Sequence, residues 1–283
     1  MVFRLTQISD THLSRGKPHF ADNWPPLADW IAAQRPDLVI HSGDLTVDGA
    51  DVEDDLAYSA QLMNGVGRLW RAVPGNHDVG DAGHVRQAVN AERLATWRRY
   101  CGPDRWVEDI DMGARGWRLV GLDAMLIDSG EAEEAEQSIW LEEVMSAAGE
   151  RQIGWFLHRP LFLNSPEESD TGYWSVKPQP RASLMAMVRR YRVAFVASGH
   201  LHKARDFEYD GTRYIWSPAS SFLVGAPTQP DMPGEKRLGA VMYELGDRTF
   251  TAKIAEVPGL RQHWLDDVIH EVYPRPGKPA GAD

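Results

Sequence analysis

Short apolar runs alternate with helix-spaced apolar positions through about residue 200. Val2–Ser9, Leu38–Ser42, Leu69–Val73, Trp117–Leu122, Ile153–Leu157 and Val193–Ala197 have the length and apolar content of strands. Between them, Leu27–Gln34, Val52–Asn64, Val85–Tyr100, Ser138–Ala148 and Ala182–Tyr191 read as helices. Pro25 and Pro26 suit a first helical turn, and Gly65 and Gly149 suit helix ends. Strands that alternate with helices predict a layered α/β fold. After residue 200 the pattern changes. The stretch 205–220 reads as a hairpin turning at Asp210-Gly211, and 239–257 as a second, turning near Gly246-Asp247. The acidic run 130–138 reads as a solvated helix start. The connection Asn164–Arg181 is long, and long loops are often functional.

Polar residues recur where the strands end. The ends read Asp10-Thr11-His12, Gly43-Asp44, Gly75-Asn76-His77-Asp78, His158-Arg159-Pro160 and Gly199-His200-Leu201-His202. Sites in open α/β sheets lie just beyond the carboxyl ends of strands. Asp10, His12, Asp44, Asn76, His158, His200 and His202 offer oxygen and nitrogen ligands and no thiolate, which suits Mn, Fe or Zn. Seven candidates exceed what one four-coordinate ion needs, and they fit two ions sharing a carboxylate. Any one of these motifs alone would pass as a polar turn; five in this order describe one site. His41 reads as packing within its strand, and His19, His84, His263 and His270 as surface or loop residues.

Composition narrows the function. The chain has 283 residues, 43% hydrophobic and 25% charged, with a net charge of −11. That charge argues against a broad nucleic-acid surface, although bound cations would still attract an anionic substrate. The single cysteine, Cys101, can form no internal disulfide. The N-terminus already reads as a strand and lacks the apolar segment of a signal peptide, and no apolar run reaches the roughly 18 residues of a membrane span. Together these features predict a cytoplasmic protein. Nothing in the pattern specifies an oligomeric state.

The five motifs together resemble the calcineurin-like metallophosphoesterase family, whose pattern stands here as DTH (10–12), GD (43–44), GNHD (75–78), H (158) and GHLH (199–202). GDLTVDG (43–49) and SGHLH (198–202) are similar to bacterial cyclic-nucleotide and glycerophosphodiester phosphodiesterases. GNHDVGD (75–81) and LHRPLF (157–162) look closer to a phosphoprotein-phosphatase-like branch, and Arg159 stands where many phosphodiesterase relatives have a second His. The resemblance implies two packed mixed β-sheets flanked by helices in αββα layers. It implies one domain over residues 1–272; the hairpin pattern makes the part from about 203 β-rich, and the Pro/Gly-rich, polar composition of 273–283 reads as a disordered tail. It also implies a ligand division: Asp10, His12 and His202 on one metal, Asn76, His158 and His200 on the other, and Asp44 between them.

Two cations about 3.5–4 Å apart can lower the pKa of a shared water and neutralise phosphoryl oxygens. His77 is then the expected catalytic acid or transition-state partner, with Asp78 orienting it and raising its pKa. Arg159 could bind phosphate or face solvent, and Tyr173 and Trp174 could wall the substrate or pack under their loop. With neither a P-loop nor a Gly-x-Ser-x-Gly elbow, direct water attack is expected. The expected activity is phosphodiester hydrolysis on a small-molecule, cyclic-nucleotide, glycerophosphodiester or phospholipid substrate. The rival in the same family is a phosphomonoesterase or phosphoprotein phosphatase. A nuclease is disfavoured by the charge, and a non-catalytic metal-binding scaffold by the intact motifs.

Overall fold

The computed structural model describes residues 2–84, 86–112 and 115–273. The strands are β1 (Phe3–Ile8), β2 (Leu38–His41), β3 (Trp70–Ala72), β4 (Trp106–Asp111), β5 (Gly116–Leu122), β6 (Gln152–Leu157), β7 (Phe195–Ser198), β8 (Arg205–Tyr209), β9 (Thr212–Trp216), β10 (Phe222–Leu223), β11 (Ala240–Leu245), β12 (Phe250–Ala255) and β13 (His263–Trp264). The helices are α1 (Trp24–Gln34), α2 (Glu53–Gly65), α3 (Asn76–Val79), α4 (Ala91–Cys101), α5 (Ala132–Ser146), α6 (Pro178–Arg190) and α7 (Leu265–Val272).

Two mixed sheets result, in the orders β12-β11-β1-β2-β3 and β4-β5-β6-β7-β9-β8. β1, β2 and β3 run parallel, and so do β5, β6, β7 and β9. Each expected hairpin is present, and each extends a different sheet: β9 pairs with β7, and β11 pairs with β1. Alternation along the strands assigns residues to layers, because successive side chains point to opposite faces. Leu38 and Ile40 join an inner core with Trp117, Leu119, Phe156 and Phe195, whereas Val39, Val120, Trp155 and Leu157 face the helices. The inner core is strongly aromatic, and two tryptophans, Trp106 and Trp117, are used here. Phe195 lies 5.5 Å from Phe156, 5.8 Å from Trp117 and 5.3 Å from Tyr243, which links the two sheets.

Some expected boundaries move, for local reasons. α4 begins at Ala91 rather than Val85, because the Asn90 side chain accepts a hydrogen bond from Arg93 N at 2.9 Å and caps the helix there. Val85 itself lies outside the described residues. α5 starts at Ala132, so much of the acidic run is helix. α6 starts at Pro178, which shortens the long connection; Pro178 and Pro180 occupy its tolerant first turn. α7 was not expected, yet Leu265, Val268, Ile269 and Val272 have helical spacing and pack with Phe20 and Phe222. Residues 274–283 of the expected tail lie outside the described residues, while Tyr273 is placed.

The inner core supplies a stability test. Phe195→Ala should cost about 3–5 kcal/mol by chemical denaturation, because Phe195 is 0% exposed. Ile139→Ala, at a position 63% exposed, should change stability by less than about 0.5 kcal/mol. Comparable losses in both would place the core elsewhere.

Candidate metal centre

The two parallel strand sets end at one edge, and their loops interlock. Asp10 N donates to Gly43 O at 3.0 Å, His12 N to Asp44 O at 3.1 Å, and Gly199 N to His158 O at 2.9 Å. The loop backbones turn sharply. Asp10, His12, Asp44, His200 and His202 have φ of 52°, 42°, 54°, 70° and 51°. Non-glycine residues in the left-handed region cost about 1–3 kcal/mol each and persist only where the surroundings hold them. The turns aim alternate side chains, two residues apart, at one centre. The motif glycines make this crowding possible: a Cβ on Gly75 would lie 2.1 Å from Asp44 Oδ1, and one on Gly43 would lie 2.4 Å from His158 Nδ1.

The carboxylates and imidazoles gather in overlapping groups. Asp10, His12 and His202 offer atoms within 4.8 Å of one another, and so do Asp44, His158 and His200. His12, Asp44 and His77 form a third group, which makes Asp44 common to two. His202 Nε2 lies 3.4 Å from Asp10 Oδ1, and His158 Nε2 lies 3.1 Å from Asp44 Oδ2. Asn76 is buried beside them: its amide nitrogen donates to Tyr173 Oη at 3.1 Å, while its Oδ1 has no partner. Asp10 Oδ1 is likewise buried without a hydrogen bond.

Ring orientation follows from the outer partners. His158 Nδ1 faces Ser42 O at 2.8 Å, His202 Nδ1 faces Phe222 O at 2.8 Å, and His200 Nε2 faces Tyr173 O at 2.9 Å. A carbonyl only accepts, so each of these nitrogens carries a proton, and in the neutral ring the other nitrogen presents a lone pair inward. The inward atoms crowd: His12 Nε2 and His202 Nε2 are 3.3 Å apart, and His158 Nε2 and His200 Nδ1 are 3.2 Å apart. Lone pairs at that separation, with two carboxylates alongside, make a cation-binding donor set. Carbonyl-anchored imidazoles are the usual support for metal-ligating histidines. The residues therefore fit a pair of N/O-liganded transition ions.

Electrostatics favour neutral imidazoles at His12 and His200, ionised carboxylates at Asp10 and Asp44, and a His158 ion-paired with Asp44. Burial pushes His12 and His200 well below the ordinary histidine range. Burial also opposes a charged His158, but Asp44 beside it, together with Asp10 and the Ser42 carbonyl, outweighs burial and lifts its pKa to about 9. For Asp44 burial favours the acid form, yet the neighbouring His158 and His77 hold it well below the carboxylate range. Asp10 shows the same contest, and His202 and His158 keep it low.

His77 lies at the rim of this cluster, its ring 4.9 Å from that of His12. Its Nδ1 faces Val47 O at 3.1 Å, and its backbone N donates to Asp44 Oδ1 at 2.9 Å. Asp78 does not orient it, contrary to the expectation from sequence. The Asp78 carboxylate accepts from Gly75 N, Leu45 N, Thr46 N and Thr46 Oγ1 at 2.8–3.2 Å, tying the second and third strand-end loops together. Nor is the His77 pKa raised: burial lowers it, while burial and the nearby Asp44 lift Asp78 to about 7.

A cavity of about 730 Å³ adjoins the cluster through Asn76 and His77. Arg159 lines it and does not face solvent; its Nη2 donates to Asp81 Oδ2 at 2.6 Å, with both residues buried. Tyr173 also lines it, 4.5 Å from the His200 ring. Trp174 is not among the cavity-lining residues: it packs with Leu163, Leu201, Trp216 and Met232, the second of the two readings its sequence allowed. Sequence reasoning missed Lys17, Asp81 and Tyr273 in these walls. Lys17 and Asp81 lie in connections with no readable code, and Tyr273 fell in the expected tail.

The chain belongs to the calcineurin-like phosphoesterase family, whose model matches residues 3–204. Membership makes it a metal-dependent hydrolase of phosphoric esters. It is 26% identical over 245 residues to a probable glycerophosphodiester phosphodiesterase of Arcobacter nitrofigilis, covering 82% of this chain and 83% of that one. It is 29% identical over 163 residues to a serine/threonine-protein phosphatase of Danio rerio, covering 55% and 49%. Among solved structures, the Plasmodium inner-membrane-complex anchor GAP50 superposes with a TM-score of 0.66 at 14% identity, over 92% of this chain and 86% of that one. That likeness shows the fold.

Asp78→Ala separates a loop brace from a catalytic orienter. It strands several buried donors, each worth about 1–3 kcal/mol. It should therefore destabilise the protein by about 3 kcal/mol in denaturant titration and lower metal content with it. Loss of turnover with native stability and native metal content would restore the orienting role.

Proposed function

We propose that this chain hydrolyses a phosphodiester, with Asp10, His12 and His202 on one metal ion, Asn76, His158 and His200 on a second, and Asp44 shared. The observation that carries the diester reading is the charge balance of the cavity wall. Among the described wall residues, Lys17, Arg159 and Lys177 each already face a carboxylate: Asp48 at 3.4 Å, Asp81 at 2.6 Å and Asp128 at 2.5 Å. A phosphomonoester arrives with a second negative charge, which none of these wall cations is free to meet beyond the metal ions. A diester carries one charge and two organic substituents, which suit walls such as Ala124, Ile127, Val176 and Val272. The longer alignment with a diesterase relative points the same way.

When bound, the two ions supply water activation and neutralise charge on the phosphoryl oxygens. The protein's own groups do the rest. The outer carbonyls of Ser42, Phe222 and Tyr173 hold three ligand rings in register. Val47 O holds Nδ1–H of His77, so Nε2 is the atom that exchanges a proton. Burial disfavours the imidazolium; a substrate phosphate beside it favours that form. Protonation of His77 is thus coupled to substrate binding, and the proton passes to the leaving alkoxide.

Three outcomes follow. With Mn-reconstituted protein, bis(4-nitrophenyl) phosphate should turn over faster than 4-nitrophenyl phosphate; the reverse order favours a phosphomonoesterase. Elemental analysis should find up to two ions per chain, as a shared-carboxylate site requires, and Asp44→Asn should weaken both. His77→Ala should retain metal and lose about 10²–10⁴-fold in turnover on an alkyl leaving group, and lose less on nitrophenolate. Equal losses on both leaving groups would rule out the acid role.

A further inference from the structure

Three of the four imidazoles turned towards the centre are anchored from outside by main-chain carbonyls, as described above for His158, His200 and His202. His12 is the exception. Its outer nitrogen, Nδ1, lies 3.1 Å from the side-chain Oη of Tyr273. With Nε2 given to a metal ion beside His202 and Asp44, Nδ1 would carry the proton and donate to that oxygen. The same tyrosine ring stacks on His77, centroids 4.7 Å apart with 29° between planes. One residue therefore touches both a candidate ligand and the candidate acid. It lies beyond residues 3–204, the part of the chain that the family model matches.

The sequence around Tyr273 is built to bring it there. α7 seats Leu265 and Val272 in a small core with Phe20, Val47 and Phe222. Phe222 also stacks on His202 at 4.3 Å and lies 4.7 Å from His12, so this core touches the ligand rings directly. At the far end of the helix, Lys17 Nζ donates to Val272 O at 2.8 Å and ties the helix end to the loop after β1. Tyr273 follows immediately, its backbone N bonded to Ile269 O at 2.8 Å. Its position is thus fixed from the helix, from the loop and from the two histidines.

We propose that Tyr273 is a positioning residue of the metal centre: its hydroxyl fixes the tautomer and rotation of His12, and its ring fixes His77. The proposal rests on His12 being a metal ligand. Loss of an outer partner of a metal-bound histidine typically costs about 10–100-fold in metal affinity. Removing only the hydroxyl should cost affinity, and removing the ring should also cost turnover through His77.

The test is Mn binding to the full chain after chelation, followed by calorimetry, for wild type, Tyr273→Phe and Tyr273→Leu, with the metal-free unfolding midpoint and kcat at saturating Mn measured alongside. Tyr273→Phe keeps the stack and is expected to bind at least one Mn about tenfold more weakly. Its metal-free midpoint and its kcat at saturating Mn should stay close to wild type. Tyr273→Leu is expected to weaken Mn binding at least as much and to lower kcat as well, more for an alkyl than for a nitrophenolate leaving group. Native Mn affinity in either variant overturns the proposal, as does a fall in kcat with unchanged affinity in Tyr273→Phe. If wild type binds no Mn, Fe or Zn, the metal reading of the whole centre fails, and this proposal fails with it.

Discussion

Two pairs of imidazole nitrogens face each other across 3.3 Å and 3.2 Å, with the carboxylates of Asp10 and Asp44 beside them. Lone pairs and negative charge buried this closely are unfavourable unless positive charge lies among them. Protons or metal ions can supply it. Burial disfavours protonation of His12 and His200, Asp44 favours a proton on His158 that a metal ion would displace, and the outward N–H groups are already committed to the protein. The cluster is therefore a donor set for cations, and the surrounding loops serve to hold it together.

The means of holding it is backbone geometry. Five candidate ligands sit in left-handed conformations at the ends of β1, β2 and β7. Neighbouring loops hydrogen-bond within each sheet, and His200 N donates to Asp10 Oδ2 across the gap between sheets at 3.1 Å, so no turn can relax alone. Gly43 and Gly75 leave room for His158 and Asp44 where any Cβ would intrude. Asp78 gathers the amides of Gly75, Leu45 and Thr46 on one carboxylate. The sheets contribute rigidity: the aromatic layer between them fixes the distance from the β1–β2–β3 loops to those after β6 and β7.

Much of this was legible along the chain, because strands deliver ligand-type residues to their ends with a short, recognisable spacing. The layered fold was legible for the same reason that the strands were, by apolar runs of strand length. What stayed hidden depended on contacts between distant segments. Asp78 has the same one-letter context whether it faces His77 or the amides of a neighbouring loop. Trp174 and Tyr173 are adjacent in sequence, yet one turns into an apolar cluster and the other lines the cavity. α7 was readable from the spacing of Leu265, Val268, Ile269 and Val272, but nothing local says that the residue after it reaches His12 from 261 positions away.

The claim that the inward donors are arranged for cations is tested most directly by the unfolding free energy of the wild-type chain, measured in denaturant with saturating Mn and again with chelator. Binding to the folded state alone adds about 2.7 kcal/mol per site at a hundredfold excess over Kd. The account predicts a gain of that order or more, with the unfolding slope unchanged. Identical midpoints in the two conditions would contradict it.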